Sequence, residues 1–168
     1  MTEKVLNDIV FEYAHEGCNV LAGHPDKDFI KGYIQQFDND FYIPLSRRVD
    51  MESFAQKLSD LSTTFIVLKE DEVAGLICSY FYRPETKKGF VTLVHTKHEY
   101  RGLRLSVILL DALKKYAIGN GFESVDLFVS KQQTAAYNLY LKHGFEVLEE
   151  GADGRCAMRM EVGNDRVK

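Results

Sequence analysis

The stretch from Phe90 to Ala117 restricts the fold more than any other part of the chain. Phe90 to Thr96 is β-branched and mostly apolar, the pattern of a strand buried on both faces. A polar turn runs from Lys97 to Arg104. Leu105, Ile108, Leu109, Ala112, Leu113, Tyr116 and Ala117 then recur at helical spacing, and Asn120-Gly121 supplies a C-terminal stop. Helices packed on a sheet satisfy such a strand.

The flanking sequence reads the same way. Thr64 to Lys69 and Val73 to Tyr82 form a hairpin about Glu70-Asp71-Glu72. Val125 to Val129 is a strand. A helix from about Gln132 to His143 carries Ala136, Leu139 and Tyr140 on one face and stops at Gly144. Phe145 to Leu148 and Arg155 to Val162 are strands joined at Gly151-Ala152-Asp153-Gly154. Upstream, Phe29, Ile30, Tyr33, Ile34 and Phe37 mark a helix capped by Asp26 or Asp28. Asp50 caps a second helix bearing Phe54, Ala55, Leu58 and Leu61, and Pro44 to Val49 is a loop. In the first 25 residues the two periodicities tie. Val5, Leu6, Ile9, Val10, Tyr13 and Ala14 fit a helix, whereas Ile9, Phe11 and Tyr13 alternate as a strand. The 168 residues carry no linker, repeat or low-complexity block, so a single domain over 1–168 is expected.

Charge and cysteine content exclude several function classes. Twenty-one Lys and Arg against twenty-five Asp and Glu give a net charge of −4, the wrong sign for a nucleic-acid binder. No apolar run approaches the roughly 20 residues that span a bilayer, and Met1-Thr2-Glu3-Lys4 leads into no apolar signal core. Cys18, Cys78 and Cys156 are odd in number and widely spaced. That excludes a disulfide framework and a cysteine-rich zinc site, and it fits reduced thiols in a cytoplasmic protein without a metal. Cys78 and Cys156 fall in strands and read as buried fillers.

Chemistry is concentrated where the buried strand gives way to the long helix, at Glu99-Tyr100-Arg101-Gly102-Leu103-Arg104-Leu105-Ser106. The first turn of a helix leaves backbone N–H groups without partners at the positive end of the dipole, which makes an anion site. Arg101 and Arg104 add charge there, with Lys97 just upstream. A phosphate or pyrophosphate is the natural guest. The absence of a Gly-Lys-Ser/Thr loop and of a dinucleotide fingerprint argues against a nucleotide-binding domain.

Three segments together, Val91-Thr92-Leu93-Val94-His95-Thr96, Tyr100-Arg101-Gly102 and Ala136-x-x-x-Tyr140-x-x-x-Gly144-Phe145, resemble the GCN5-related N-acetyltransferase (GNAT) family. The resemblance runs from about Thr64 to Val162. It implies an α/β (α+β) fold. A mixed, mostly antiparallel sheet of six to seven strands, splayed at the cofactor site, would be flanked by helices. It implies acetyl-CoA as acyl donor and direct attack by the primary amine of a small molecule. The family's loop pattern is Gln/Arg-x-x-Gly-x-Gly/Ala, whose amides hold the pyrophosphate of coenzyme A. The resemblance therefore assigns coenzyme A binding to Arg101, Gly102, Leu103, Arg104, Leu105 and Ser106. Val94 and Thr96 on the strand, Gln133 and Tyr140 complete that set. Arg104 replaces the family's central glycine and Ser106 its last small residue. Residues opening a helix take ordinary helical dihedrals and tolerate a side chain, so Arg104 is expected to fold outward and contact a phosphate. A loop closed by Arg104 is the alternative, and it would leave an inactive binding or scaffold module.

By the same resemblance, Tyr140 sits near the thioester sulfur and can protonate the departing thiolate; otherwise it is a core tyrosine. The family's frequent glutamate on the strand before the loop is missing. His95 is the one titratable side chain from Phe90 to Thr96, with an ordinary pKa near 6.5 that suits a base. Its other reading is a satisfied structural histidine. Asp126 is a weaker candidate, and Glu99 reads as structural. Backbone groups of Leu93 to Thr96 would meet the pantetheine arm and polarise the thioester carbonyl. Arg47-Arg48 reads as solvated surface, with the acceptor mouth as the alternative, and Glu70-Asp71-Glu72 and Glu149-Glu150 read as solvated turns. A homodimer is the default assembly.

Overall fold

The structure is a computed structural model that describes residues 4–163. The leaderless reading of Met1, Thr2 and Glu3, and the last residues of the single domain expected over 1–168, lie outside the described residues.

β1 (Phe11–His15) and β2 (Cys18–Gly23) pair across a two-residue turn at Glu16 and Gly17. Both turn residues have positive φ, as a tight hairpin matching the strand twist requires. The tied periodicity of the N-terminal segment thus resolves as strand. Long-range pairing decides it: β2 lies against β3 (Ser62–Lys69) and buries Cys18, Val20 and Ala22. With β4 (Glu72–Tyr80), β5 (Lys88–Thr96), β6 (Ser124–Ser130), β7 (Phe145–Glu150) and β8 (Arg155–Glu161), the sheet has eight strands among the described residues, more than the six to seven expected. Their order is β1-β2-β3-β4-β5-β6-β8-β7, antiparallel except for β5 beside β6.

Among the described residues four α-helices cover the two faces. α1 (Lys27–Gln36) is capped by Asp26, whose carboxylate accepts the Phe29 N–H at 3.1 Å. α2 (Met51–Leu61) is capped by Asp50, which accepts the Ser53 N–H at 3.0 Å. Ile30, Ile34, Ala55 and Leu58 from these helices pack on Ile66, Leu76 and Leu93. On the other face, Leu105, Leu109 and Leu113 of α3 (Leu105–Gly119) pack on Phe65, Ile77 and Val91. α4 (Thr134–Lys142) leads to Gly144 at φ +102, the expected stop. Cys18, Cys78 and Cys156 are free and buried. Among the described residues no helix is long and apolar enough to cross a membrane.

Two irregularities in β5 position the site. Parallel pairing with β6 covers Lys88↔Ser124, Gly89↔Val125 and Phe90↔Asp126 and then stops, so the strands diverge. Against β4, Cys78 lies opposite Leu93 and Ser79 opposite Val91, which leaves Thr92 as a bulge. One extra residue inverts the side-chain alternation. Val91 therefore joins the core under α3, while Leu93 joins the core under α1 and α2. The expectation that Phe90 to Thr96 is buried on both faces needs correction. The strand alternates buried and half-buried residues, because the sheet opens beside it.

The core makes a direct prediction. Leu109 is fully buried, so Leu109→Ala should cost about 2–5 kcal/mol through lost transfer energy and a residual cavity. Leu148 is 53% exposed, and Leu148→Ala should fall within about 0.5 kcal/mol of the parent. Urea unfolding of the two variants checks both values.

Candidate active site

The turn between β5 and α3 has the backbone geometry that can cradle an anion. Gly102 has φ +88, and Arg104, the N-cap of α3, has φ 60 and ψ 26. This corrects the expectation that Arg104 takes ordinary helical dihedrals: it occupies the left-handed region where glycine is favoured. A left-handed residue followed by right-handed ones turns successive amides toward a common point, an anion nest. The Ile108 N–H is the first after the turn to find a partner, at the Arg104 carbonyl. Among the described residues, the amides of Gly102, Leu103, Arg104, Leu105, Ser106 and Val107 donate to no protein acceptor. The arginine strains the turn without closing it.

The expected loop residues hold this turn in different ways. Leu105 is 2% exposed, so its side chain belongs to the core and it offers only its amide to a ligand. The Ser106 hydroxyl lies 3.2 Å from that of Thr96 and ties the helix start to the strand end. Arg101 donates through Nε to the Thr96 carbonyl at 3.2 Å, and its Nη2 lies 3.6 Å from an Asp40 carboxylate oxygen. Leu103 and Arg104 are exposed.

A cleft of about 530 Å³ opens where β5 and β6 diverge. Its walls are Val91 to Val94 on one side and Leu127 to Ser130 on the other. Gln133 and Tyr140, two of the residues the resemblance assigns to coenzyme A, line it. Gln133 has its side-chain oxygen occupied by the Ser130 N–H at 3.0 Å. Tyr140 is 7% exposed and meets Phe145 edge to face at 5.6 Å. Its hydroxyl has no hydrogen-bond partner among the described residues. Burial pushes its phenol up to about 12, so the proton stays on oxygen at neutral pH.

His95 lies elsewhere. The bulge at Thr92 directs it to the α1 face, 5% exposed among Tyr33, Phe37 and Phe41. Nδ1 is 2.8 Å from the Tyr33 hydroxyl and Nε2 is 2.8 Å from Asp40. A neutral ring protonated on Nε2 satisfies both contacts: it donates to the carboxylate and accepts from the phenol. Both ring nitrogens are thus engaged, and His95 does not line the cleft. Asp126 is held bidentately by Arg159, at 2.7 and 2.9 Å. Glu99 is exposed.

Several lining residues escaped the sequence reading. Phe41, Tyr42 and Ile43, from the polar and aromatic segment after α1, reach over the cleft. The Tyr42 hydroxyl donates to Gln132 across its mouth. Asp153 and Arg155 enter from the β7–β8 turn, and Arg155 lies over the Phe128 ring at 4.2 Å. Arg48, read as solvated surface, lines the cleft, whereas Arg47 does not. Desolvation, and then the charge of Arg155, hold the Arg48 pKa below its ordinary value.

A family model described as the acetyltransferase (GNAT) family matches residues 30–145. Among solved structures, the ribosomal-protein-S18-alanine N-acetyltransferase from Escherichia coli is similar at TM-score 0.67 and 14% identity, covering 85% of this chain and 94% of that one. An acetyltransferase of the GNAT family from Staphylococcus aureus is similar at TM-score 0.66 and 12% identity, covering 85% and 99%. A spermidine N-acetyltransferase chimera derived in part from Vibrio cholerae is similar at 0.63 and 12%, covering 82% and 96%.

Two outcomes are expected of the site without any ligand. Burial, outweighing Asp40, holds the His95 pKa below its ordinary 6.5, and burial does the same to His143 beside Asp111. The unfolded chain then takes up these protons first. Stability should be full above about pH 6.5 and fall below it, by at most about 1.4 kcal/mol per pH unit for each histidine. Urea midpoints from pH 7.5 to 5.0 measure the slope, and His143→Asn should reduce it. Separately, left-handed dihedrals cost an L-residue roughly 1–2 kcal/mol, and glycine returns about 0.5–1 of that as chain entropy. Arg104→Gly should therefore stabilise the fold by about 0.5–1 kcal/mol, seen as a raised Tm.

Proposed function

Because the chain belongs to the acetyltransferase (GNAT) family, we propose that it transfers an acetyl group from acetyl-CoA to the primary amine of a small molecule. The observation that carries this reading is the unbroken run of acceptor-free amides from Gly102 to Val107, at the end of the strand that walls the Tyr140 cleft. A pyrophosphate fits the amides, and a pantetheine arm fits the open edge of β5. That open nest also weighs against an inactive module closed by Arg104.

In this reading the neutral amine attacks the thioester carbonyl carbon directly. Negative charge develops on the carbonyl oxygen, and a backbone N–H on the unpaired edge of β5 stabilises it. The C–S bond then breaks. Tyr140, with a pKa near 12, is a weaker acid than a thiol of ordinary pKa about 8.5. It therefore acts first by donating a hydrogen bond to the leaving sulfur. The proton lost from the amine nitrogen ends on that sulfur, so the products are an amide and a free thiol. His95, engaged by Tyr33 and Asp40, is a positioning residue in this scheme rather than the base. It fixes the segment bearing Asp40 to Phe41, and through Asp40 it reaches Arg101.

The fold alone leaves the acceptor open: one similar structure is named for a protein alanine and another for spermidine. A cleft of about 530 Å³, partly roofed by Tyr42 and Ile43, favours a small amine.

Calorimetric titration with acetyl-CoA, beside desulfo-CoA and adenosine bisphosphate, tests the donor. Saturable binding is expected. Thiol release over an amine panel then tests turnover. Tyr140→Phe should keep acetyl-CoA binding and lower kcat about 10²–10³-fold. No binding at millimolar ligand would overturn the reading.

A further inference from the structure

The two arginines in the cleft have no evident task in holding the donor. None of residues 97–107, which include the anion nest, lines the cleft that contains Arg48 and Arg155. The arginines come from separate elements: Arg48 follows the short turn Leu45–Arg47, and Arg155 opens β8. Both reach solvent, Arg48 from a partly desolvated place in the cleft, and neither has an acidic side chain within ion-pair distance among the described residues. Asp153 is the carboxylate that shares the cleft, and one of its oxygens is taken by the Arg155 backbone N–H at 3.0 Å. The Arg155 guanidinium is supported over the Phe128 ring at 4.2 Å, and a ring face takes up none of its N–H donors in an ion pair.

Bringing two like charges into one cleft is unfavourable unless something negative joins them. The neighbouring surface repeats the theme. A groove of about 790 Å³ on the α2 face adjoins the cleft at Thr92 and is lined by Lys57, Arg83 and Lys88. None of these three has an acidic partner within ion-pair distance among the described residues; Lys57 and Arg83 lie over the Tyr80 and Tyr82 rings. Five cations without an acidic partner among the described residues thus line two concavities that meet at Thr92, in a chain of net charge −4.

We propose that Arg48 and Arg155 form the carboxylate clamp of the acceptor site, so that the acceptor is a carboxylate-bearing primary amine of the amino-acid class. This assignment rests on the acetyltransferase reading for the identity of the reaction, but the clamp itself is a property of the free cleft. Guanidinium forks match a carboxylate with two parallel N–H···O bonds, and the apolar wall of Phe41, Ile43 and Phe128 receives the rest of the molecule. A simple polyamine would bring positive charge to the same place and be repelled.

The test pairs a binding measurement with a turnover measurement. Thiol release is followed for the common L-amino acids, each beside its carboxamide, and for spermidine and O-phosphoethanolamine. At least one amino acid should exceed its carboxamide about tenfold or more in kcat/KM. In Arg48→Gln and Arg155→Gln its KM should rise about 10–100-fold while the KM for acetyl-CoA holds. Arg155→Lys should recover only part of the loss, because the ammonium lacks the fork. Equal use of amino acids and carboxamides, or preference for spermidine or O-phosphoethanolamine, would overturn the clamp and leave the transferase reading standing. Ligand-observed NMR of the same amino acids with the unacetylated protein separates the two failures. Binding that the glutamine variants abolish supports the clamp even if acetyl-CoA is never turned over, and binding indifferent to both substitutions overturns it.

Discussion

β5 and β6 are the parallel neighbours in the described sheet, and their pairing lasts from Lys88 to Phe90. A strand that loses its partner must find water or another guest for its backbone groups. Past Phe90 the edge of β5 is left open, and the walls on either side become the cleft. The bulge at Thr92 comes two residues later and reverses which side chains face which core. Together they send Val94 and Thr96 toward α3 and the cleft, and His95 away from it.

Reversal of the alternation also explains the chain of contacts around His95. Buried without partners, an imidazole would be costly, and here both nitrogens are used. Tyr33 belongs to α1, Asp40 to the segment after it, and Arg101 to the anion nest. One buried ring therefore links the helical layer, the segment that roofs the cleft and the turn that opens α3. Histidine suits this place because its neutral form donates at one nitrogen and accepts at the other.

The sequence was most readable where local pattern and burial agree. The α3 stripe, the Asp26 and Asp50 caps and the Gly144 stop are set by nearby residues, and each lies where the spacing predicts. The β1–β2 hairpin was ambiguous because its strands bury one face against distant β3. Its best local signal was Glu16-Gly17, which alone is brief. The bulge at Thr92 left no mark in the apolar run around it, so the side on which His95 falls was not legible. Arg48 and Arg155 lie more than a hundred residues apart in sequence, and only the tertiary fold brings them to one cleft. The positive φ of Arg104 was hidden for another reason. The site demands the conformation, and the residue present is one that pays for it.

Leu105 gives the anion nest a property that its polar atoms cannot supply. The residue that contributes one of the central amides is also one of the largest fully buried side chains in the protein. The turn cannot swing open without drawing that leucine out from among Leu109, Phe65 and their neighbours. The helix end of the nest is therefore tied to the α3 core rather than to a freely fraying loop. A ligand arriving there meets donors whose ordering entropy was settled when the chain folded.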